Sequence, residues 1–232
     1  MRKRAFHLLF ALLCFSEMAY TQVYQWSVPV RNIVSGETNA APEAFLWIPE
    51  NCKKVKGLIL AQHNMLEEGV LESKAFRESM SKLGFAEVWV SPAFDMTFNF
   101  EDKAPEIFNS LMKDLADKSG YQELATVPVI PIGHSALASY PWNFAAWNPE
   151  RTLAVISLKG DAPQTNLTGS GKPNPDWEGR NIDGVPGLMI MGEYEWWEDR
   201  LKPGLEYVRK HPNSPITWYA DAGRGHFDFS DQ

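Results

Sequence analysis

Seven short runs of apolar residues, at 44–48, 57–61, 86–90, 127–132, 153–158, 187–191 and 216–219, punctuate this chain at spacings that leave room for helices between them. Several are apolar at nearly every position rather than at alternate ones. A strand of that kind is buried on both faces, and such strands belong to a parallel sheet covered by helices on each side. The intervening segments fit. Phe76, Met80 and Leu83 make one helical stripe with Gly84 as its stop. Ile107, Phe108, Leu111, Met112 and Leu115 make a second that ends near Gly120, and a third candidate covers 198–210. The expectation is an α/β fold with a mostly parallel sheet and helices on both faces. Ligands of such sheets bind at the carboxyl ends of the strands.

The run 127–132 stops at Gly133-His134-Ser135-Ala136, and 137–147 then reads as a helix. A serine at a sharp strand-to-helix bend has its hydroxyl exposed above the sheet, beside the free N–H groups of the new helical turn. That placement suits a nucleophile, and Ser135 is the candidate. Of five His residues, His7 lies in the N-terminal segment. His211 sits in a polar turn and is expected in solvent, and His134 is expected to face away from Ser135. His63 more naturally braces a loop than binds metal, because no second His or Cys stands at ligand spacing. His226, in the glycine-rich loop Gly223-Arg224-Gly225-His226-Phe227 after the last strand, is left as general base. The acid that orients it is Glu195 by first choice, just past the strand 187–191, with Asp161 and Glu193 as alternatives. An oxyanion site needs two N–H donors. Ala136 supplies one, and Asn64 or Met65, in the uncharged turn Gln62-His63-Asn64-Met65, the other. No cofactor is called for.

The length of 232 residues suits one domain with a full core. Arg2, Lys3 and Arg4 followed by a short apolar run at 5–15, too short to span a bilayer as a helix, read as a signal peptide over residues 1–21. The domain then occupies 22–232, secreted or periplasmic. Leu13 before Cys14 argues against lipoprotein anchoring, and no integral span is expected after cleavage. Cys52 is then the sole cysteine, so no internal disulfide forms. Loss of three positive charges and Glu17 takes the net charge from −7 to −9. An acidic chain has no electrostatic reason to bind nucleic acid.

In the order Ser135, acid, His226, the sequence resembles the α/β-hydrolase superfamily over nearly the whole of 22–232. Gly133-His134-Ser135 matches the start of its G-x-S-x-G elbow, and Leu137 stands where that pattern has a small residue. Gly192-Glu193-Tyr194-Glu195 resembles the segment that carries the acid, with Glu for Asp. Gly225-His226-Phe227 resembles the catalytic His loop, and His63-Asn64 stands where many members have His-Gly. The resemblance implies a three-layer α/β-hydrolase fold and a Ser-His-acid acyl-enzyme mechanism. It also implies a closing helix after the His loop. The sequence stops six residues beyond His226, so a domain lacking that helix is expected.

More loosely, the chain resembles exported bacterial esterases related to feruloyl esterases, dienelactone hydrolases and polyhydroxybutyrate depolymerases. That implies a small-molecule or polysaccharide-linked ester as substrate. Trp196 and Trp197, directly after Glu195, and Trp177, in the Pro/Gly/Asn-rich loop 162–183, are expected to form an aromatic platform beside Ser135. Two other functions fit the same fold. One is an exopeptidase whose pocket charge would come from Glu67, Glu68 and Glu193. The other is a non-catalytic glycan- or partner-binding module.

Overall fold

The computed structural model describes residues 24–167, 172–195 and 198–230. The N-terminal segment, including Cys14 and the candidate signal peptide, lies outside the described residues, as do Trp196 and Trp197.

Eight strands form one sheet: β1 Trp26–Pro29, β2 Glu43–Trp47, β3 Gly57–Gln62, β4 Phe85–Ser91, β5 Val129–His134, β6 Val155–Leu158, β7 Gly187–Gly192 and β8 Ile216–Asp221. Their order across the sheet is β1-β2-β4-β3-β5-β6-β7-β8. From β4 to β8 every pairing is parallel, whereas β1 and β2 run antiparallel at one edge. β1 is the strand that no apolar run announces. It is an edge strand ending in Pro29, and only Val28 of its four residues is buried. An edge position with one covered face tolerates both features.

Among the described residues, five α-helices cover the sheet: α1 Glu67–Glu72, α2 Lys74–Leu83, α3 Ala104–Ser119, α4 Ser139–Trp147 and α5 Glu198–Lys210. The stripe read for α3 is its buried face, whereas of the α2 stripe Met80 is buried, Phe76 half-buried and Leu83 exposed at the end of the helix, and the stops are as expected. Gly84 and Gly120 close those helices in the left-handed region, at φ 73° and 84°. Alternate residues of β3 supply the two faces. Leu58 and Leu60 join a core with α3 and α4, whereas Ile59 and Ala61 join Leu71 of α1 and Met80 of α2. A third apolar cluster packs α4 and α5 over β6 to β8, with Trp142, Met189 and Tyr207 at its centre. The helix after Ser135 begins as a 3-10 turn, Ser135–Leu137, before α4. Nearly every α4 side chain is buried, so this helix anchors the turn at Ser135 in the core.

Three ionisable side chains in this core give stability a defined pH dependence. Glu87 on β4 is fully buried and meets Arg77 of α2, Nε to Oε2 3.3 Å. Burial outweighs the guanidinium and pushes its carboxyl up to about 8. Burial likewise raises Glu67 to about 7, against the N–H groups it accepts from. His134 moves the other way, down to about 4, because burial disfavours its cation. A carboxyl raised on folding stabilises the native state most below its unfolded value, and that contribution is lost as pH climbs through the folded one. A histidine lowered on folding contributes above its unfolded value, and that contribution is lost as pH falls toward 4. Scanning calorimetry between pH 5 and 9 is therefore expected to show Tm falling from near-neutral pH toward 9. Glu87→Gln should flatten that upper slope; an unchanged slope would show that Glu87 ionises as easily folded as unfolded.

Candidate active site

The carboxyl ends of β3, β5, β6, β7 and β8 lie along one edge of the sheet, and each leads into a loop carrying a candidate residue. Ser135 follows β5 directly, with φ 52°. A side chain other than glycine in the left-handed region costs about 1–3 kcal/mol and persists only where its surroundings enforce it. Two glycines do so here. A Cβ on Gly133 would sit 2.1 Å from the Leu137 carbonyl oxygen. One on Gly160, past the end of β6, would sit 2.1 Å from the Ala138 Cβ and 3.1 Å from the Ser135 carbonyl oxygen. The close approach that the family pattern places at position 137 is therefore made by Ala138 against Gly160. Leu137 is fully buried in the main core and does not disturb the turn.

The hydroxyl of Ser135 donates to His226 Nε2 at 2.8 Å. The opposite nitrogen, Nδ1, hydrogen-bonds Glu195 Oε1. Glu195 is held in turn by Arg200 Nη1 at 2.8 Å and by the Gly192 N–H, which donates to Oε2 at 2.8 Å. Burial pushes this carboxyl up, but the hydrogen bonds from His226 and Gly192 and the charges of His226 and Arg200 prevail, and the net direction is down. Glu195 is thus an anion placed to stabilise the cation that would form if His226 took up a proton. Gly192 lets the acid loop and the His loop meet, since a Cβ there would fall 2.5 Å from the Gly225 carbonyl oxygen.

The two alternative acids are placed elsewhere. Asp161 is fully buried, and its carboxylate accepts from Ser139 Oγ at 2.9 Å and the Leu167 N–H at 2.8 Å. It ties the start of the 162–183 loop to α4. Glu193 accepts from the Gly223 N–H at 2.7 Å and links the acid loop to the turn after β8. Of the two candidate oxyanion donors after β3, Met65 is engaged: its N–H donates to Glu67 Oε2 at 3.1 Å. Asn64 donates from its side-chain Nδ2 to the His134 carbonyl at 2.8 Å. Ala136 follows Ser135 within the 3-10 turn.

Trp177 does not line the site. Its indole is buried, packs edge-on to Tyr207 with ring centres 6.1 Å apart, and donates from Nε1 to Asn143 Oδ1 at 2.8 Å. An indole with its N–H paired to a helix side chain is part of the core under α4 and α5. Among the described residues, exposed aromatic surface beside Ser135, His226 and Glu195 comes from two others. Tyr194 (75% exposed) precedes Glu195 and Phe227 (67%) follows His226. Together with Arg200 they line a shallow recess over His226 and Glu195. Met65 (63%) is exposed in the oxyanion loop.

Two further residues act on His226 from below, and neither has a sequence motif. His134, expected to face away, is buried with its ring 4.9 Å from that of His226, and its Nε2–H donates to the His226 carbonyl at 2.8 Å. Lys159 is buried at the end of β6. Its ammonium donates to the carbonyls of Gly225, at 2.6 Å, and Asp228, and lies 3.3 Å from Asp221 Oδ2. His211, expected in solvent, stacks on Tyr207 with ring centres 4.3 Å apart. His63 lies edge-on to Trp89, as befits a loop brace.

No protein-family model matches the sequence. No curated protein matches it. Solved structures do. An S-formylglutathione hydrolase from Agrobacterium tumefaciens superposes with a TM-score of 0.57 at 14% identity, over 86% of this chain and 87% of that one. An S-formylglutathione hydrolase from Staphylococcus aureus gives 0.57 at 12% identity, over 87% and 91%. Thermogutta terrifontis esterase 2 gives 0.52 at 10% identity, over 87% and 83%. At these identities the likeness is one of architecture, and the chain has the α/β-hydrolase fold.

Replacing Glu195 by Gln keeps its shape but removes the charge opposite the imidazolium. It is expected to lower kcat/KM for an activated ester by about 10²- to 10⁴-fold. Asp161→Asn, which loosens the 162–183 loop instead, should lower Tm while leaving kcat/KM within a few-fold. Steady-state rates and melting curves of the two variants separate the roles; the reverse pattern would make Asp161 the acid.

Proposed function

We propose that this chain is an exported serine hydrolase that cleaves esters through an acyl-enzyme, with a carbohydrate-linked ester as the first substrate class to test. The single observation carrying this reading is the continuous hydrogen-bonded line from Ser135 Oγ through both nitrogens of His226 to Glu195. In that line His226 takes the Ser135 proton as Oγ attacks the ester carbonyl. Glu195 holds the Nδ1–H tautomer and stabilises the imidazolium. The N–H groups of Ala136 and Asn64 receive the negative charge on the carbonyl oxygen. Collapse of the tetrahedral intermediate expels the alcohol, protonated by His226, and water activated by the same imidazole releases the acid.

Ester cleavage is supported by the likeness in fold to S-formylglutathione hydrolases and an esterase. It is supported too by the open recess flanked by Tyr194 and Phe227, which can take a flat or ring-bearing group without a deep pocket. Export rests on the sequence of residues 1–21. Among the described residues no helix is long and apolar enough to cross a membrane. The exopeptidase alternative loses two of the carboxylates it needs, since Glu67 is fully buried and Glu193 binds the Gly223 N–H. The assembled line of three side chains favours catalysis over a binding module.

The mature protein is expected to hydrolyse p-nitrophenyl acetate, and Ser135→Ala to reduce the rate by at least about 10³-fold. A fluorophosphonate probe should label the wild type and not this variant. Turnover of aminoacyl p-nitroanilides in preference to esters would favour the exopeptidase, and an unlabelled wild type the binding module.

A further inference from the structure

Glu67 is the first residue of α1 and is fully buried directly behind the nucleophile turn. Its carboxylate accepts three main-chain N–H groups. His134, on β5, donates to Oε1 at 2.7 Å. Met65 and Leu66, in the oxyanion loop, donate to Oε2 at 3.1 and 3.2 Å. One side chain therefore joins the residue before the nucleophile to the loop that carries the second oxyanion donor. Asn64 makes the same connection in reverse, giving its Nδ2–H to the His134 carbonyl. The two together set the distance between the Ser135 turn and the Asn64 N–H.

We propose that Glu67 is a positioning residue of this active site, whose ionised carboxylate holds the oxyanion loop in register with the nucleophile turn and releases it when protonated. The proposal rests on the reading of Ser135 as the nucleophile of an ester hydrolase. Its chemistry is simple. All three neighbours of the carboxylate are donors, and an ionised carboxylate is an acceptor at both oxygens. A proton on Oε2, which already accepts from both Met65 and Leu66, sets an O–H against those donors, so one of the two bonds to the loop is given up and the loop shifts.

Burial raises the proton affinity of this group, and the three N–H donors partly restrain it, which places its protonation near neutral pH. The charged and titratable groups on the elements around α1 do not substitute for it. His134 on β5 binds it through its main chain and stays neutral across this range. Arg77 on α2 and Glu87 on β4 face each other. His63, after β3, lies against Trp89, and Glu68 and Glu72 on α1 are exposed.

Protonation of Glu67 then lowers turnover on acidification, on top of the requirement that the general base be free. For the wild type, log kcat/KM for p-nitrophenyl acetate against pH is expected to steepen toward a slope of two on the acid side. Circular dichroism at each pH, and full recovery on return to pH 8, would exclude unfolding as the cause. Glu67→Gln, whose amide presents two N–H donors to this nest of donors, should lower kcat about 10- to 100-fold at pH 8. That is less than outright loss of an oxyanion donor. Its KM should stay within about two-fold, and its acid limb should have a slope of one. A merely structural Glu67 would not change the number of protons in the profile. If the Gln variant fails to fold, the wild-type slope decides. A wild-type slope of one, or a Gln variant with unchanged kcat, overturns the proposal. A wild type whose turnover survives Ser135→Ala overturns instead the reading on which it rests.

Discussion

The main chain of His134 is the point on which the site hangs. Its N–H is taken by Glu67, the first residue of α1, and its C=O by Asn64, in the loop after β3, while its ring N–H is given to the carbonyl of His226. One residue at the tip of the central strand therefore ties the loop after β3 on one side and the His226 loop on the other, with Ser135 next in sequence. A buried peptide unit must place its N–H and C=O somewhere. At the end of β5 the strand neighbours run out, and the two groups are satisfied by side chains of the functional loop instead. Completing the strand's hydrogen bonds and assembling the active site are here the same physical event.

Close backbone contact is the second constraint. The turn at Ser135 is held in a conformation unfavourable for serine, and Gly133 and Gly160 clear the space in which it can fold back. Gly192 does the same between the acid loop and the His loop. The base loop is then tied down by a buried ammonium, Lys159, which spans from the end of β6 to the carbonyls of Gly225 and Asp228 and to Asp221 on β8. A buried lysine is costly unless each of its donors is met. Its partners are the segments on either side of His226, so loss of those contacts and displacement of the base go together.

The strand runs, the two helical stripes and the glycine stops were legible because burial on both faces of a sheet, or along one face of a helix, leaves a periodic imprint. Ser135 and His226, which the structure joins by a hydrogen bond, stand out because a hydroxyl and an imidazole at strand ends have few structural reasons to be there. Glu195 could only be ranked, since three carboxylates follow two adjacent strands and nothing in their spacing says which one turns toward the base. The hydrogen bonds of Asp161 to Ser139 and of Glu193 to Gly223 are long-range facts of packing. Trp177 was misread for a related reason: an indole in a polar loop gives no sign that Asn143 waits for its N–H. His134, Glu67 and Lys159 were missed as working residues because each acts through main-chain groups, which have no identity in the sequence.

Glu67 also shows a conflict between folding and function. Its proton affinity is raised by burial, so folding favours the protonated carboxyl relative to the unfolded chain. The arrangement of three donors around it fits only the ionised form. The site therefore works in the protonation state that the fold tolerates less well, and the N–H groups of His134, Met65 and Leu66 narrow the gap between the two. The same groups would be strained donors without the carboxylate, because they sit at the end of a strand and in a tight turn before a short helix. Each side of this contact makes the other tenable, which is why a carboxylate in an otherwise apolar position can be kept beside the nucleophile turn.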